Sequence, residues 1–247
     1  MKLIRVASFL LSISFILLSA GYLAAQSPAA DSILYKSGIQ HLVTLYHQAS
    51  GEQSGLYNGS QYSGYFFSFT GGDPFFKDKE PGLGSVVYDG VLYENVMLQY
   101  DEIQDVVVME DSARRIQLIN DRIARFRLFD NNFIRIVKDT ENAVLVRTGY
   151  YNLLYEGNIS LLKKEEKYIR EDPSTGVLLR FIESHVYYYL KRNNEYFSIK
   201  NKNSLLALFS DRKKEIRQYI RKNGLSYRND RDNMLTKTIA YCDQLIK

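Results

Sequence analysis

The spacing of apolar residues changes twice along the chain. In residues 32–49 they recur every three or four positions, as on one side of an amphipathic helix. The residues that share this side are Leu34, Tyr35, Ile39, Leu42, Leu45, Tyr46 and Ala49. Asp31 can cap the first turn, and Gly51 follows the last one. The pattern predicts one amphipathic helix, which we expect to pack against the rest of the domain.

From residue 55 onward apolar residues recur at every second position, which is typical of strands. Three turns share a Tyr-polar-Gly sequence: Tyr57-Asn58-Gly59, Tyr88-Asp89-Gly90 and Tyr155-Glu156-Gly157. Asn-Gly and Asp-Gly favour tight hairpins because both residues tolerate positive φ. Asp130-Asn131-Asn132 and Asn193-Asn194 are further candidate reversals. Short strands joined by short turns predict an antiparallel meander of eight to ten strands over residues 55–199.

The helical spacing returns after residue 200. Residues 204–209 form a short helical run, and Ser210 is expected to cap a helix over residues 211–222 that ends at Gly224. A second helix is predicted over residues 231–246. Its apolar stripe contains Leu235, Ile239, Cys242 and Ile246. The two helices would form a helical hairpin.

These elements predict the fold class α+β, with an N-terminal amphipathic helix, an antiparallel β-meander and a C-terminal helical hairpin. The corresponding regions are residues 1–25 as a signal peptide, 26–54 as helix and linker, 55–199 as the meander and 200–247 as basic helices. A curled half-barrel covered by the N-terminal helix is one arrangement that would hide the edges of the sheet.

The first residues have the order of a secretory signal peptide. Lys2 and Arg5 precede an apolar run over residues 6–18, and small residues lead to Leu23-Ala24-Ala25-Gln26. Cleavage is expected after Ala25, with Gly21 as the second candidate because Leu23 is large for the −3 position. A retained anchor is the alternative, but the run is shorter than the about 20 residues of a spanning helix. We expect export to the periplasm or cell envelope and no transmembrane span in the mature chain.

Composition and charge refine this interpretation. The 247 residues include 20 Tyr, 13 Phe, no Trp and one Cys, so an intramolecular disulfide and a thiolate cluster are both excluded. Residues 31–142 hold 10 basic and 16 acidic side chains, whereas residues 200–247 hold 12 and 5. The basic excess therefore belongs to the helical tail.

The predicted helix over residues 211–222 carries the candidate contacts for an anionic partner, Lys214, Arg217, Arg221 and Lys222. A basic strip attracts phosphates and carboxylates over long distances. Because export excludes most nucleic acids, the expected partners are an envelope protein, a lipid or lipopolysaccharide. The alternative interpretation is a solvated helix face that only aids solubility.

The residue types that support catalysis occur without a recognisable arrangement. His41 and His47 are six positions apart and cannot share a helix face, and His185 is remote, so no metal site is predicted. Cys242 lies on an apolar stripe, where a thiol acts as a small hydrophobe. Gly82-Leu83-Gly84 lacks a third glycine, since Val87 occupies that position, and no Gly-x-Ser-x-Gly sequence occurs. No cofactor is expected.

Two further groups have a structural explanation. Acidic residues cluster near a turn and could in principle hydrolyse glycosides, although acids beside turns are usually solvated. They are Asp101, Glu102, Asp105, Glu110 and Asp111. Neighbouring tyrosines such as Tyr187-Tyr188-Tyr189 point to opposite faces of a strand, so the run does not form one sugar-binding platform. No catalytic residue is assigned.

Two segments resemble a group of exported proteins of Gram-negative bacteria to which no activity is assigned. The first covers residues 84–96 and Leu98-Gln99-Tyr100-Asp101, and the second covers residues 202–206, 211–217 and 219–223. The resemblance extends from Ile33 to the C-terminus. It implies export and a sheet followed by helices, but no site residue.

Three functional hypotheses follow. The leading one is a non-enzymatic envelope protein that binds a protein partner or an anionic envelope component. The first alternative is a carrier of a lipid or other apolar ligand inside a curled sheet, and the second is a hydrolase with a site that sequence cannot reveal. A sheet whose concave side is filled by side chains favours the first hypothesis over the carrier.

Overall fold

The computed structural model describes Gly38 and residues 54–111, 114–138, 146–174, 176–193 and 195–245. The chain divides into two compact units, Met1–Gly51 and Glu52–Lys247, and the second is described below. The predicted signal peptide lies outside the described residues. So does the predicted helix over residues 32–49, apart from Gly38, whose backbone is helical.

In the described residues eleven strands form one sheet in which all neighbouring strands are antiparallel, as predicted. The strands are β1 (Ser60–Gln61), β2 (Gly82–Tyr88), β3 (Val91–Asp101), β4 (Val106–Asp111), β5 (Arg114–Gln117), β6 (Ile123–Leu128), β7 (Asn131–Ile136), β8 (Gly149–Tyr155), β9 (Ile159–Asp172), β10 (Leu179–Arg192) and β11 (Glu195–Ser198). The sheet is open, and its strand count exceeds the expected eight to ten.

The strand order is β1-β5-β4-β3-β2-β6-β7-β8-β9-β10-β11. Strand β2 pairs with both β3 and β6, so the sheet grows from β2 in two directions. The chain therefore forms two meanders that share a boundary, and the first strand returns to the edge beside β5. A single continuous meander, as the sequence suggested, does not describe this topology.

Local turn chemistry explains most of the reversals. Asp89 and Gly90 have φ of 51° and 78°, which fits the tight turn predicted between β2 and β3. The next reversal uses Phe129 and Asp130, both with positive φ, and so begins one residue earlier than predicted. The hairpin predicted at Asn58-Gly59 is wrong, because the strand that follows pairs with β5 instead of a sequence neighbour.

One face of the sheet carries the main core, and we call it the core face. Residues that pair across strands share a face, and the pairs Val86–Phe126, Phe126–Phe133 and Phe133–Asn152 trace this face from β2 to β8. The Phe126 and Phe133 rings stack with centroids 4.6 Å apart. Around them lie further buried aromatic side chains, Tyr88, Tyr93, Tyr100 and Tyr150.

Three helices follow the sheet: α1 (Lys202–Ala207), α2 (Lys213–Lys222) and α3 (Arg231–Leu245). Their apolar side chains pack on the continuation of the core face over β9 and β10, where Leu161 and Leu190 are fully buried. The carboxylate of Asp243 fixes α3 to the sheet by accepting a hydrogen bond from the backbone N–H of Ile159 at 3.0 Å. In the described part of the chain, no helix is long and apolar enough to cross a membrane.

Helix α2 ends as predicted but begins differently. Gly224 has φ of 60°, and the N–H of Leu225 donates to the carbonyl of Ile220, which is a Schellman ending. Ser210 does not cap α2. It starts a separate 3₁₀ turn, and Arg212 precedes the helix without a side-chain cap.

Two leucines of β3 test the assignment of the core face. Leu98 is fully buried, whereas Leu92 on the same strand is 52% exposed. Leu98→Ala should lower the free energy of unfolding by about 2–5 kcal/mol, because it leaves a cavity in a packed core. Leu92→Ala should change it by no more than about 0.5 kcal/mol. Urea unfolding measures both, and equal losses would contradict the assignment.

Candidate functional site

The core face is filled with side chains where a carrier would need a cavity. Tyr100, Phe133 and Tyr150 are each at most 3% exposed. The remaining space between them has a volume of about 10 Å³, which is close to that of one water. The face therefore holds no lipid-sized ligand in this conformation.

Larger spaces lie elsewhere. A groove of about 280 Å³ among the C-terminal helices is lined by Phe209, Ile216 and Cys242. A groove of about 300 Å³ on the opposite face of the sheet lies beside Arg125, Ile134 and Leu153. Both grooves are open and at or below the lower end of the range for small-molecule sites, and a larger open space of about 480 Å³ lies beside β1 and β5.

The acidic cluster noted in the sequence consists of carboxylates with separate structural roles. Asp101 is fully buried and accepts hydrogen bonds from Tyr62 Oη at 2.6 Å and Tyr65 Oη at 2.9 Å. It also accepts from the backbone N–H groups of Ile103 and Gln104, which shapes the turn after β3. Both carboxylate oxygens of Asp101 therefore already accept hydrogen bonds from the protein itself.

Glu110 and Asp111 lie on β4 near the edge of the sheet. Each faces an arginine of β5, Arg115 at 3.6 Å and Arg114 at 3.7 Å. Partly exposed pairs of this kind contribute little to stability. Glycoside hydrolysis requires two carboxylates that face each other across a cleft, and Glu110 and Asp111 are not arranged in this way.

The remaining two acids form what we call the clasp, defined by Glu102, Asp105, Lys164 and Lys167. The turn between β3 and β4 carries the acids, and β9 carries the lysines. Lys167 Nζ lies 3.0 Å from Glu102 Oε2, and Lys164 Nζ lies 2.7 Å from Asp105 Oδ1. Since β3 and β9 are five places apart in the sheet, the clasp joins two distant strands.

Neighbouring groups complete the hydrogen bonding of the clasp. Tyr100 Oη donates to Asp105, and Lys167 Nζ donates to the carbonyl of Asp73 at 3.0 Å. Gly149 leaves the space that the acid occupies, because a Cβ there would collide with Asp105 Oδ2. The pairs are therefore satisfied internally and leave no free nucleophile or base.

Burial shifts the acidity of these groups. It raises the pKa of Glu102 to about 7, although the Lys167 ammonium acts in the opposite direction. Burial and the neighbouring Asp105 charge also raise the pKa of Tyr100 well above its usual value. The phenol thus stays protonated and serves as a donor.

Histidine and cysteine offer no assembled site in the described residues. His185 is exposed and stacks on Tyr168 with ring centroids 5.0 Å apart, while His41 and His47 lie outside the described part. No group of three His, Cys, Asp or Glu side chains there could hold a metal ion. Burial raises the pKa of Cys242 to about 12, so its thiol is protonated and packs as an apolar group.

The tyrosine runs alternate between faces, as the sequence predicted. Tyr188 is buried on the core face and donates to Asp232, whereas its neighbour Tyr187 is 39% exposed. Tyr150 and Tyr151 are both buried but belong to apolar clusters on opposite faces. Cross-strand packing explains these residues.

The four basic residues singled out in the sequence all lie on α2 and are exposed: Lys214, Arg217, Arg221 and Lys222. Lys214, Arg217 and Arg221 fall within about 60° of one another around the helix, at 100° per residue. Ile216 and Ile220 anchor the opposite side in the core. The structure thus brings three of the four candidate contacts to one side of α2, whereas Lys222 lies about 100° from Arg221 around the helix.

Sequence reasoning missed a second surface, in the loop between β1 and β2. Phe66 in this loop is 96% exposed, which is unusual for a large apolar side chain. The available signal was an uncharged stretch over residues 61–72 that contains five aromatic residues.

Comparison with protein-family models, curated proteins and solved structures found no match.

The pH dependence of unfolding tests the burial of Glu102. Because the pKa of Glu102 rises from 4.5 to about 7 on folding, the folded state keeps a proton that the unfolded state releases in this range. The free energy of unfolding of the wild type should then fall as the pH rises from 4.5 to about 7. Glu102→Gln has no proton to release, so its free energy of unfolding should rise relative to that of the wild type by about 1–3 kcal/mol over this pH range.

Lys167→Met should raise the pKa of Glu102 further. Removing the ammonium that lowers the pKa of Glu102 should extend the loss of stability to higher pH. Urea unfolding at a series of pH values measures all three proteins. Parallel curves for wild type and Glu102→Gln would show that Glu102 does not titrate in this way.

Proposed function

We propose that this chain is a non-enzymatic exported protein of the cell envelope that binds an anionic partner through the exposed face of α2. The observation that carries the proposal is the charge of this helix. It contains five basic residues, Lys213, Lys214, Arg217, Arg221 and Lys222, and one acid, Glu215. Within the described residues none of the five has an ion-pair partner, and Glu215 instead faces Arg212 at 3.5 Å.

This arrangement opposes the stability of the helix itself. Lys213 and Lys214 lie in the first turn, where the helix dipole disfavours cations by about 0.3–1 kcal/mol each. Arg217 is four residues from both Lys213 and Arg221, and like charges at this spacing repel. The helix dipole favours cations in the last turn, such as Arg221. It gives no stabilising role to Lys213, Lys214 and Arg217. A bound anion would offset the repulsion.

The spacing favours an extended partner. Lys214 and Arg221 are seven residues apart, which is about 10 Å along a helix. A row of cations of this length matches an acidic polypeptide or an array of phosphates better than a single small anion. Phosphates of lipids or lipopolysaccharide and carboxylates of an acidic protein are the sources that export would make available.

The other hypotheses receive less support. The clasp joins β9 to the turn between β3 and β4, which supports a sheet curled as a half-barrel. The aromatic core, however, fills the side on which a carrier would hold its ligand. The acids available to a hydrolase are paired with lysines, arginines or tyrosines. Binding at the surface therefore agrees best with the described residues.

Charge reversal on α2 tests the proposal. Lys214→Glu combined with Arg217→Glu and Arg221→Glu should weaken binding to phosphatidylglycerol vesicles, lipopolysaccharide or polyglutamate by at least about tenfold at low salt. Wild-type binding should itself weaken as salt rises, because exposed charges are screened beyond about 10 Å at 0.1 M. Co-sedimentation and pull-down distinguish the three partners.

Two controls separate the helix face from net charge and folding. Arg125→Glu, Lys138→Glu and Lys202→Glu make the same change in charge at exposed positions outside α2 and should retain most of the binding. Arg217→Glu alone should bind less but unfold with a free energy higher by about 0.5 kcal/mol, since it replaces repulsions with attractive pairs. Equal loss in both triple variants would overturn the proposal.

A further inference from the structure

We propose that the loop after β1 and the turn between β9 and β10 together insert into the surface of a lipid bilayer. We call this surface the aromatic tip and define it by Tyr65, Phe66, Phe67, Phe69, Val177 and Leu178. The proposal concerns a different surface from α2 and does not rest on the function proposed above.

The tip exposes an unusual amount of apolar surface from two distant parts of the sequence. Phe66 is 96% exposed, Val177 is 66% exposed and Leu178 is 43% exposed. Backbone hydrogen bonds bring the two segments together, with the N–H of Thr70 donating to the carbonyl of Arg180 at 2.7 Å. The parallel bridge between Gly71 and Phe181 runs the two segments in the same direction, and we infer that their exposed apolar side chains form one surface.

The tip is supported from below. Phe67 and Phe69 pack edge-to-face with centroids 5.5 Å apart, and the guanidinium of Arg180 lies 4.3 Å from the centre of the Phe67 ring. Tyr65 joins the same group, 5.0 Å from Phe69, and its hydroxyl donates to the buried Asp101. These contacts occupy the neighbouring rings and leave Phe66 outside their cluster.

Charge is excluded from the tip and neutralised around it. Residues 61–72 and 173–179 contain no Asp, Glu, Lys or Arg. The charged residues next to the β9–β10 turn form ion pairs: Arg180 lies 2.9 Å from Glu171, and Arg170 contacts both Glu183 and Asp172. An uncharged apolar surface bordered by ion pairs matches a bilayer, where acyl chains meet apolar side chains and the headgroup layer accepts polar ones.

The shape of the tip also favours lipid over a small ligand. A protruding ring cannot enclose a ligand, so burial of Phe66 requires a medium or partner that surrounds it. Lipid chains adapt to the ring from all sides, and none of the residues that define the tip carries a charge that would select a particular headgroup. We therefore expect weak, reversible association that depends on apolar contact and hardly on salt.

The absence of tryptophan in the chain provides a clean test. Phe66→Trp introduces a single indole, whose emission reports whether it is in water or in lipid. On addition of phosphatidylcholine vesicles the emission should shift to shorter wavelength and be quenched by brominated acyl chains. Leu83→Trp places the same reporter at a residue of β2 that is 63% exposed and outside the tip, and its emission should not change.

Vesicle co-sedimentation in high salt measures the contribution of the native ring. Phe66→Ser should lower the partition coefficient by about tenfold or more, because burying a phenylalanine side chain is worth about 1.5–3 kcal/mol. Leu83→Ser should leave it unchanged. Neutral vesicles and high salt remove any contribution from the basic face of α2.

Three results would overturn the proposal. The first is that the indole of the Phe66→Trp variant remains in a water-like environment with vesicles and Phe66→Ser partitions as wild type does. The second is that the emission is already that of a buried indole before vesicles are added, which would mean that another part of the chain or a second copy covers the tip. The third is a shift that occurs only with a protein partner and never with lipid.

Discussion

The clasp joins two parts of the sheet that lie far apart in the strand order. Glu102 and Asp105 belong to the turn after β3, and they meet Lys167 and Lys164 of a strand five places away in the sheet. Burying such charges is costly unless each is paired and hydrogen-bonded. The phenol of Tyr100 and the backbone carbonyls that Lys167 contacts supply the remaining bonds. The clasp thus fixes which side chains of the two strands meet, which apolar contact alone, being non-directional, would not specify.

The filled core face explains why tyrosine is so frequent in this chain. A face that is covered by its own side chains needs large rings in the middle and polar groups at the border. Tyrosine provides both, since its ring packs while its hydroxyl reaches a partner. Tyr88 donates to Asn58, Tyr150 to Asn120 and Tyr188 to Asp232. The same property removes the cavity that a carrier would require.

Features that depend on neighbouring residues could be predicted from the sequence, and features that depend on distant ones could not. The turn at Asp89-Gly90, the Gly224 ending of α2 and the alternation of Tyr187 and Tyr188 each follow from one or two residues and their preferred backbone angles. The pairing of β1 with β5 and of β2 with β6 depends instead on how the whole sheet assembles. Asn58-Gly59 has the sequence of a hairpin turn, but tertiary pairing overrides this preference.

The same distinction applies to the candidate sites. The basic face of α2 was predictable, because helical spacing alone places Lys214, Arg217 and Arg221 together. The clasp was not, because Lys164 is 59 residues from Asp105 and nothing in either segment identifies the other. Phe66 was missed for another reason: an aromatic run between strands usually indicates core, and only the structure shows which ring of the run stays outside.

The two proposed surfaces use different interactions and lie at different places in the structure, so binding at one does not prevent binding at the other. The helices cover the beginning of β9 near Ile159, and the aromatic tip lies beyond its end at Asp172. A strand of 14 residues at about 3.3 Å each spans about 45 Å. At this distance salt screens any direct influence of the α2 charges on the tip. An apolar contact at one end and an electrostatic contact at the other can therefore form at the same time, and the paired strands β9 and β10 connect them.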